Sequence, residues 1–222
     1  IEGNLSFEKI VINNIFGSLT INNFDITQGK LHLLMAGTDF LINFTKNFDF
    51  PLSYKISAQS SNLGFSSNIT KENNTLYFKN LEGIFNTVYF DFDGEIENFE
   101  AIDKNYTLNG QVSIDLKSLS STKNKIGKFL KNNFISGKMS AHTYITGKNL
   151  SINSLNVDST IVCENLKINK FLINEITSKL LFNNGRLDMP NINAFLYHGY
   201  SKGNLKMDLV DGNYPYILSL LI

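Results

Sequence analysis

Apolar and polar side chains alternate one for one along much of the chain. In LSYKISAQ, Leu52, Tyr54, Ile56 and Ala58 fall on one side and Ser53, Lys55, Ser57 and Gln59 on the other. YTLNGQVSIDLK repeats the pattern, with Tyr106, Leu108, Val112, Ile114 and Leu116 against Thr107, Asn109, Gln111, Ser113, Asp115 and Lys117. Successive side chains of a strand point to opposite faces, so a period of two predicts strands with one dry and one wet face. GKLHLLM (Leu31, Leu33, Met35), TVYFDFDG (Val88, Phe90, Phe92), GRLDM (Leu187, Met189) and NLKMDL (Leu205, Met207, Leu209) obey the same rule. Turn signals in QGK, KENN, NNG, YHGY and VDGNYP divide the chain into about fifteen short strands. Parallel strands need long helical crossovers, and the pattern leaves no room for them, so the strands are expected to form an antiparallel meander.

Only SLSSTKNKIGKFLKNNF reads as a helix. Ser120 or Ser121 would cap it, and Ile126, Phe129 and Leu130 recur at helical spacing while Lys123, Lys125, Lys128 and Lys131 cover the rest. The lysines read as a solvated face in preference to a contact with lipid headgroups. With one short amphipathic helix near residues 119 to 133, the strands must cover their own apolar faces. They can do so as a sandwich, as a barrel, or as an open sheet with an apolar concave side, and alternation alone leaves all three open.

Composition narrows the function classes. The 222 residues carry 20 basic and 20 acidic side chains, so no global field draws the chain to nucleic acid, and no nucleic-acid partner is expected. A single Arg (Arg186) beside 19 lysines and 31 asparagines reads as a compositional bias. No apolar run reaches the length of a membrane span. The chain opens at Ile1 without methionine and ends in YILSLLI, so it is expected to be a piece of a longer protein whose anchor and targeting segments lie elsewhere.

Three features invite a chemical reading. GYSKG, Gly199 to Gly203, matches the G-x-S-x-G pattern of serine hydrolases, but His32, His142 and His198 all precede Ser201 and a strand pattern follows it. A nucleophile elbow requires a strand, a sharp turn and a helix, so the two glycines are read as strand-turn punctuation. Cys163 has no second thiol to pair with and reads as a small apolar strand residue. Asp91, Asp93, Glu95 and Glu97 stand at every second position of YFDFDGEIE and share one strand face, which reads as a wet face before it reads as a calcium site. No enzyme, metal or cofactor is expected.

From Ser118 onward the order of phrases resembles the AsmA-like (AsmA, TamB and YhdP type) family of bacterial envelope proteins. A helix leads into ISGKMSAHTYITG, followed by the amphipathic LKINKFLINEITSKL and then NNGRLDMPNINAFLYHGYSKGNLKMDL. Gly185, Tyr197, Gly199, Gly203, Leu205 and Asp208 match the family's closing phrase, and His198 with Tyr200 around Gly199 depart from it. The resemblance implies an elongated, twisted antiparallel sheet curled into an open hydrophobic groove. Residues 1–117 would form its N-terminal part, and residues 118–222 the helix and the AsmA-like part, within one continuous module.

The resemblance further implies a periplasmic location, an inner-membrane anchor outside this segment, and a role in moving phospholipid towards the outer membrane and in outer-membrane homeostasis. The expected partners are phospholipid acyl chains, with inner- and outer-membrane proteins as further candidates. The groove lining expected from alternation is Leu52, Tyr54, Ile56, Phe90, Phe92, Leu108, Val112, Ile114, Leu187, Met189, Leu205 and Met207. A structural β-scaffold in envelope assembly or secretion, and a β-sandwich binding module, are the alternatives.

Overall fold

A computed structural model describes residues 2–7, 10–22, 25–35, 38–48, 52–122, 125–149, 152–196, 199–208 and 216–221. The strands are β1 (Glu2–Phe7), β2 (Ile10–Asn22), β3 (Asp25–Met35), β4 (Thr38–Asn47), β5 (Ser53–Gln59), β6 (Leu63–Glu72), β7 (Thr75–Phe85) and β8 (Val88–Glu97). They continue as β9 (Asn105–Asp115), β10 (Ile135–Lys148), β11 (Asn156–Ile168), β12 (Phe171–Asn183), β13 (Arg186–Leu196), β14 (Gly199–Asp208) and β15 (Tyr216–Leu221). All fifteen belong to one sheet, each pairs antiparallel with its sequence neighbours, and the spatial order is the chain order. The protein is mostly β, an antiparallel meander as expected, and β1 and β15 form its two edges without closing a barrel.

The sheet is open. Among the described residues every strand belongs to this one sheet, and contacts between elements run between adjacent strands and at the short helices beside β9 and β10, so no second sheet lies over either face. The accessible surface is 15143 Å², about half as much again as the ~10,000 Å² of a compact monomer of this mass. Among the described residues only Ala58, Phe92, Leu130, Cys163 and Phe182 are buried apolar side chains. With no layer above them, the four on strands owe their cover to neighbours on the same sheet as it bends round them.

Asparagine shapes the turns and bulges. Among the described residues ten non-glycine residues have positive φ, and eight are Asn. Asn has a short polar side chain that tolerates the left-handed region. Asn73, Asn86, Asn169 and Asn184 occupy two-residue connections between strands, where the right-handed twist of the flanking strands calls for positive φ. Asn80 and Asn165 instead lie inside β7 and β11 beside shifts of register. The asparagine content therefore has a structural use that composition alone does not reveal.

Two helices stand where one was expected. α1 (Leu116–Leu119) follows β9 directly, and α2 (Lys125–Asn132) precedes β10. Asp115 ends the strand one residue earlier than the alternation suggests, because its carboxylate accepts the backbone N–H groups of Lys117 and Ser118 and so starts a helix. Ser120 and Ser121, expected as N-caps, instead donate to the carbonyls of Lys117 and Ser118 and so help end α1. Leu130 is buried as expected, whereas Phe129 is 60% exposed, and Lys123 lies outside the described residues.

QGK is not a turn: Gln28, Gly29 and Lys30 lie inside β3, with Gly29 opposite Phe44. KENN and NNG do mark turns, at Asn73–Asn74 and Asn184–Gly185. VDGNYP, Leu209 and the Tyr197–His198 pair of YHGY fall outside the described residues. The sheet runs without a break across residues 117 and 118, because β9 pairs with β10 from Asp115–Lys138 to Asn105–Lys148.

Candidate functional site

Directly paired residues of adjacent strands point to the same face, so the register turns the meander into rows of side chains running across the strands. One row on one face reads Tyr54, Ile69, Phe78, Gly94, Leu108, Ile145, Val157, Phe182, Leu187 and Met207, from β5 to β14. Nine of the ten positions carry an apolar or aromatic side chain, and the tenth is glycine. At the strand spacing of a sheet this row spans about 43 Å. A second row on the same face runs from Leu63 through Phe85, Val88, Ile114, Met139, Cys163, Ile176 and Ala194 to Ser201.

The opposite face is wet. Paired residues there include Asp93 with Asn109, Tyr144 with Asp158, and Asp188 with Lys206. Cross-strand ion pairs join Lys179 to Asp158 at 3.0 Å, Arg186 to Asp208 at 3.3 Å and Lys206 to Asp188 at 3.7 Å. These pairs are partly exposed to solvent and add little stability. Their value is to keep charge on this face, although Ile84, Tyr89 and Tyr144 are also exposed there.

The apolar face is levelled by glycines set opposite large side chains. A methyl built on Gly110 would lie 2.7 Å from both the Cα and the ring Cδ1 of Phe92, and one on Gly83 would lie 2.7 Å from the Phe90 ring. Gly94 stands in the same relation to Leu108, and Gly147 to Tyr106. Each glycine leaves room for its neighbour to lie down over the next strand, which fills the gap without raising a ridge.

Four small hydroxyl residues are buried on the same face, and each finds a partner. Ser67 donates to the Lys79 carbonyl at 3.2 Å, Ser178 to the Lys179 carbonyl at 2.9 Å, and Ser159 to the His142 carbonyl at 3.1 Å; the Thr143 and Ser159 hydroxyls lie 2.8 Å apart. A buried hydroxyl bonded to the backbone offers little to a polar ligand. The face therefore behaves as apolar even where its residues are not.

Eleven of the twelve expected lining residues share this face: Tyr54, Ile56, Phe90, Phe92, Leu108, Val112, Ile114, Leu187, Met189, Leu205 and Met207. Apart from buried Phe92 they are half-buried, which leaves part of each side chain open to a partner. Leu52 is a correction. It precedes β5 with φ 55°, is 51% exposed, and uses its carbonyl to accept the Lys71 N–H. A left-handed residue interrupts the alternation, so parity counted from Tyr54 does not carry back to it.

The remaining candidates keep separate places. Ser201 is the third residue of β14, opposite Ala194 in the extended strand and not at an elbow; Gly199 and Gly203 also lie within β14, so the expectation of turn glycines is corrected to strand glycines. Cys163 is buried between Met139 and Ile176, and burial, with the Glu164 charge adding to it, pushes its thiol above the ordinary value. Asp91, Asp93, Glu95 and Glu97 lie in a line on the wet face, and Asp93 accepts the Asn80 backbone N–H at 2.7 Å. Among the described residues no three His, Cys, Asp or Glu side chains converge as a metal site.

Sequence reasoning missed a different cluster. Lys117 of α1, Lys131 of α2, Lys167 of β11 and Lys170 of the turn before β12 line one cavity of about 610 Å³ beside Leu130, Phe134 and Ile135. These lysines are far apart in sequence and carry no motif. The only available signal was the lysine-rich helix segment, which supplies one of the four.

No family model matches the chain, and neither a curated protein nor a solved structure matches it. No helix among the described residues is long and apolar enough to cross a membrane.

Proposed function

We propose that this chain is a non-enzymatic lipid-binding segment, one length of an AsmA-like groove that shields phospholipid acyl chains on their way between two membranes of a bacterial envelope. The observation that supports this reading is the apolar row from Tyr54 to Met207, continuous over ten strands with no layer above it among the described residues. An apolar surface of this extent is costly in water, at roughly 25 cal/mol per Å², and calls for an occupant. Acyl chains suit it, because each buried methylene is worth ~0.8 kcal/mol and the contact has no direction. A level floor lets a chain slide without being held at one point. The periplasmic location, the anchor outside this segment and the contacts with inner- and outer-membrane proteins belong to the same proposal.

The test is photocrosslinking to phospholipid from a probe at Ile56, in the parent chain and in Ile114→Asp. A carboxylate at Ile114 sits in the second apolar row, where acyl chains would pass, and its desolvation costs several kcal/mol, so crosslinking should be lost. On an open face water reaches the new charge, so the variant should keep its thermal melt. If Ile114→Asp unfolds, the face acts as a closed core; if neither protein crosslinks, a scaffold without lipid cargo is the better reading.

A further inference from the structure

We propose that the cavity beside α1 and α2 binds the phosphate headgroup of an anionic lipid. The inference rests on the lipid-binding reading above and names the part of the lipid that the apolar face leaves unaddressed. Four lysines from four separate elements line it: Lys117 on α1, Lys131 on α2, Lys167 on β11 and Lys170 in the β11–β12 turn. Among the described residues no carboxylate lines the cavity with them. The nearest in sequence, Asp115, is engaged by the Ser118 hydroxyl at 2.9 Å and by the N–H groups that start α1.

In a chain with 20 basic and 20 acidic residues, such a one-signed cluster is not a consequence of composition. A solvated lysine face would spread its charges along one helix, whereas these four, from separate elements, line one open site of about 610 Å³, within the range of small-ligand pockets. The cavity is also amphipathic. Leu130, Phe134 and Ile135 form its apolar side, and Phe134 is 72% exposed. Lysine binds phosphate oxygens as a point charge with three donors, and the apolar side suits the glycerol and first methylenes that follow the phosphate. Inorganic phosphate shares the charge but has no use for the apolar side.

The test uses the full chain and monomeric short-chain lipids. Binding of dihexanoyl phosphatidylglycerol, dihexanoyl phosphatidylcholine and inorganic phosphate is measured by calorimetry for three proteins. They are the parent, Lys131→Gln/Lys167→Gln/Lys170→Gln, and the charge-matched control Lys55→Gln/Lys79→Gln/Lys148→Gln, whose lysines are exposed on the wet face. The cavity variant should lose roughly tenfold or more in affinity for phosphatidylglycerol, with the control unchanged. The anionic lipid should bind more tightly than both the zwitterionic one and phosphate.

Equal losses in variant and control overturn the site in favour of diffuse charge. Phosphate binding as tightly as the lipid overturns the lipid source. Crosslinking at Ile56 in the same three proteins separates this proposal from the one it rests on. If the Ile56 probe labels lipid in all three while the binding losses are equal, only the headgroup site fails; a selective loss of binding without any crosslinking keeps the site and removes the groove.

Discussion

Gly110 sits opposite Phe92 and Thr143, and its missing side chain is what lets the Phe92 ring lie across β9. Gly110→Val should destabilise the fold by roughly 1–3 kcal/mol, the usual range for overpacking, as read from urea denaturation. The Asp91 carbonyl and the Phe92 backbone stand in the way, and neither can swing aside as a flexible side-chain end would. Ser201 is a contrasting case. As a strand residue on the apolar face, it should tolerate Ser201→Ala without change in melting temperature or lipid crosslinking, and the parent should take no label from a fluorophosphonate probe by mass spectrometry. Cys163 is buried and its thiol is pushed up, so native protein should react with a thiol reagent far more slowly than urea-unfolded protein.

At the scale of elements, turns and caps carry the meander. The Asn184–Gly185 connection has φ of 49° and 74°, and a β-branched residue fits the first position poorly. Asn184→Val should cost about 1–2 kcal/mol and be read as a shift in the urea midpoint. The start of α1 depends on pH. The Ser118 hydroxyl, opposed by some desolvation and aided by the Lys117 and Ser118 N–H groups and the Lys117 charge, holds the Asp115 carboxyl below its ordinary 3.8. A depressed folded pKa means the cap contributes fully above the ordinary value and is lost as pH falls through the lowered one. The amide resonances of Lys117 and Ser118 should therefore titrate with a midpoint below 3.8, and Asp115→Asn should abolish that titration.

At the scale of the molecule, one sheet presents two surfaces of opposite character at adjacent residues. Leu108 and Asn109 are neighbours in β9, the first in the ten-strand apolar row and the second opposite Asp93 on the wet face. An environment-sensitive fluorophore attached at each in turn, through Leu108→Cys and Asn109→Cys on a Cys163→Ala background, should shift to the blue on adding phospholipid at the first site only. Equal shifts at both would remove the two-faced account of lipid contact.

The chain alone determined the strands, their antiparallel succession and the side to which each turns its apolar residues, because a period of two is a local property that survives any arrangement of the sheet. That is why eleven of the twelve residues expected to line a groove fall on one face. The exception, Leu52, sits at a left-handed residue that alternation cannot register. Tertiary structure alone decided that the apolar face stays uncovered, since a sandwich, a barrel and an open sheet share one local pattern and differ only in what lies above it. It also decided the rows, because a row depends on register, and register depends on the turns and on bulges such as those at Asn80 and Asn165. The lysine cavity was beyond sequence for the same reason: Lys117 and Lys170 are brought to one place by the pairing of β9, β10 and β11, a long-range contact that leaves no trace in the residues beside either of them.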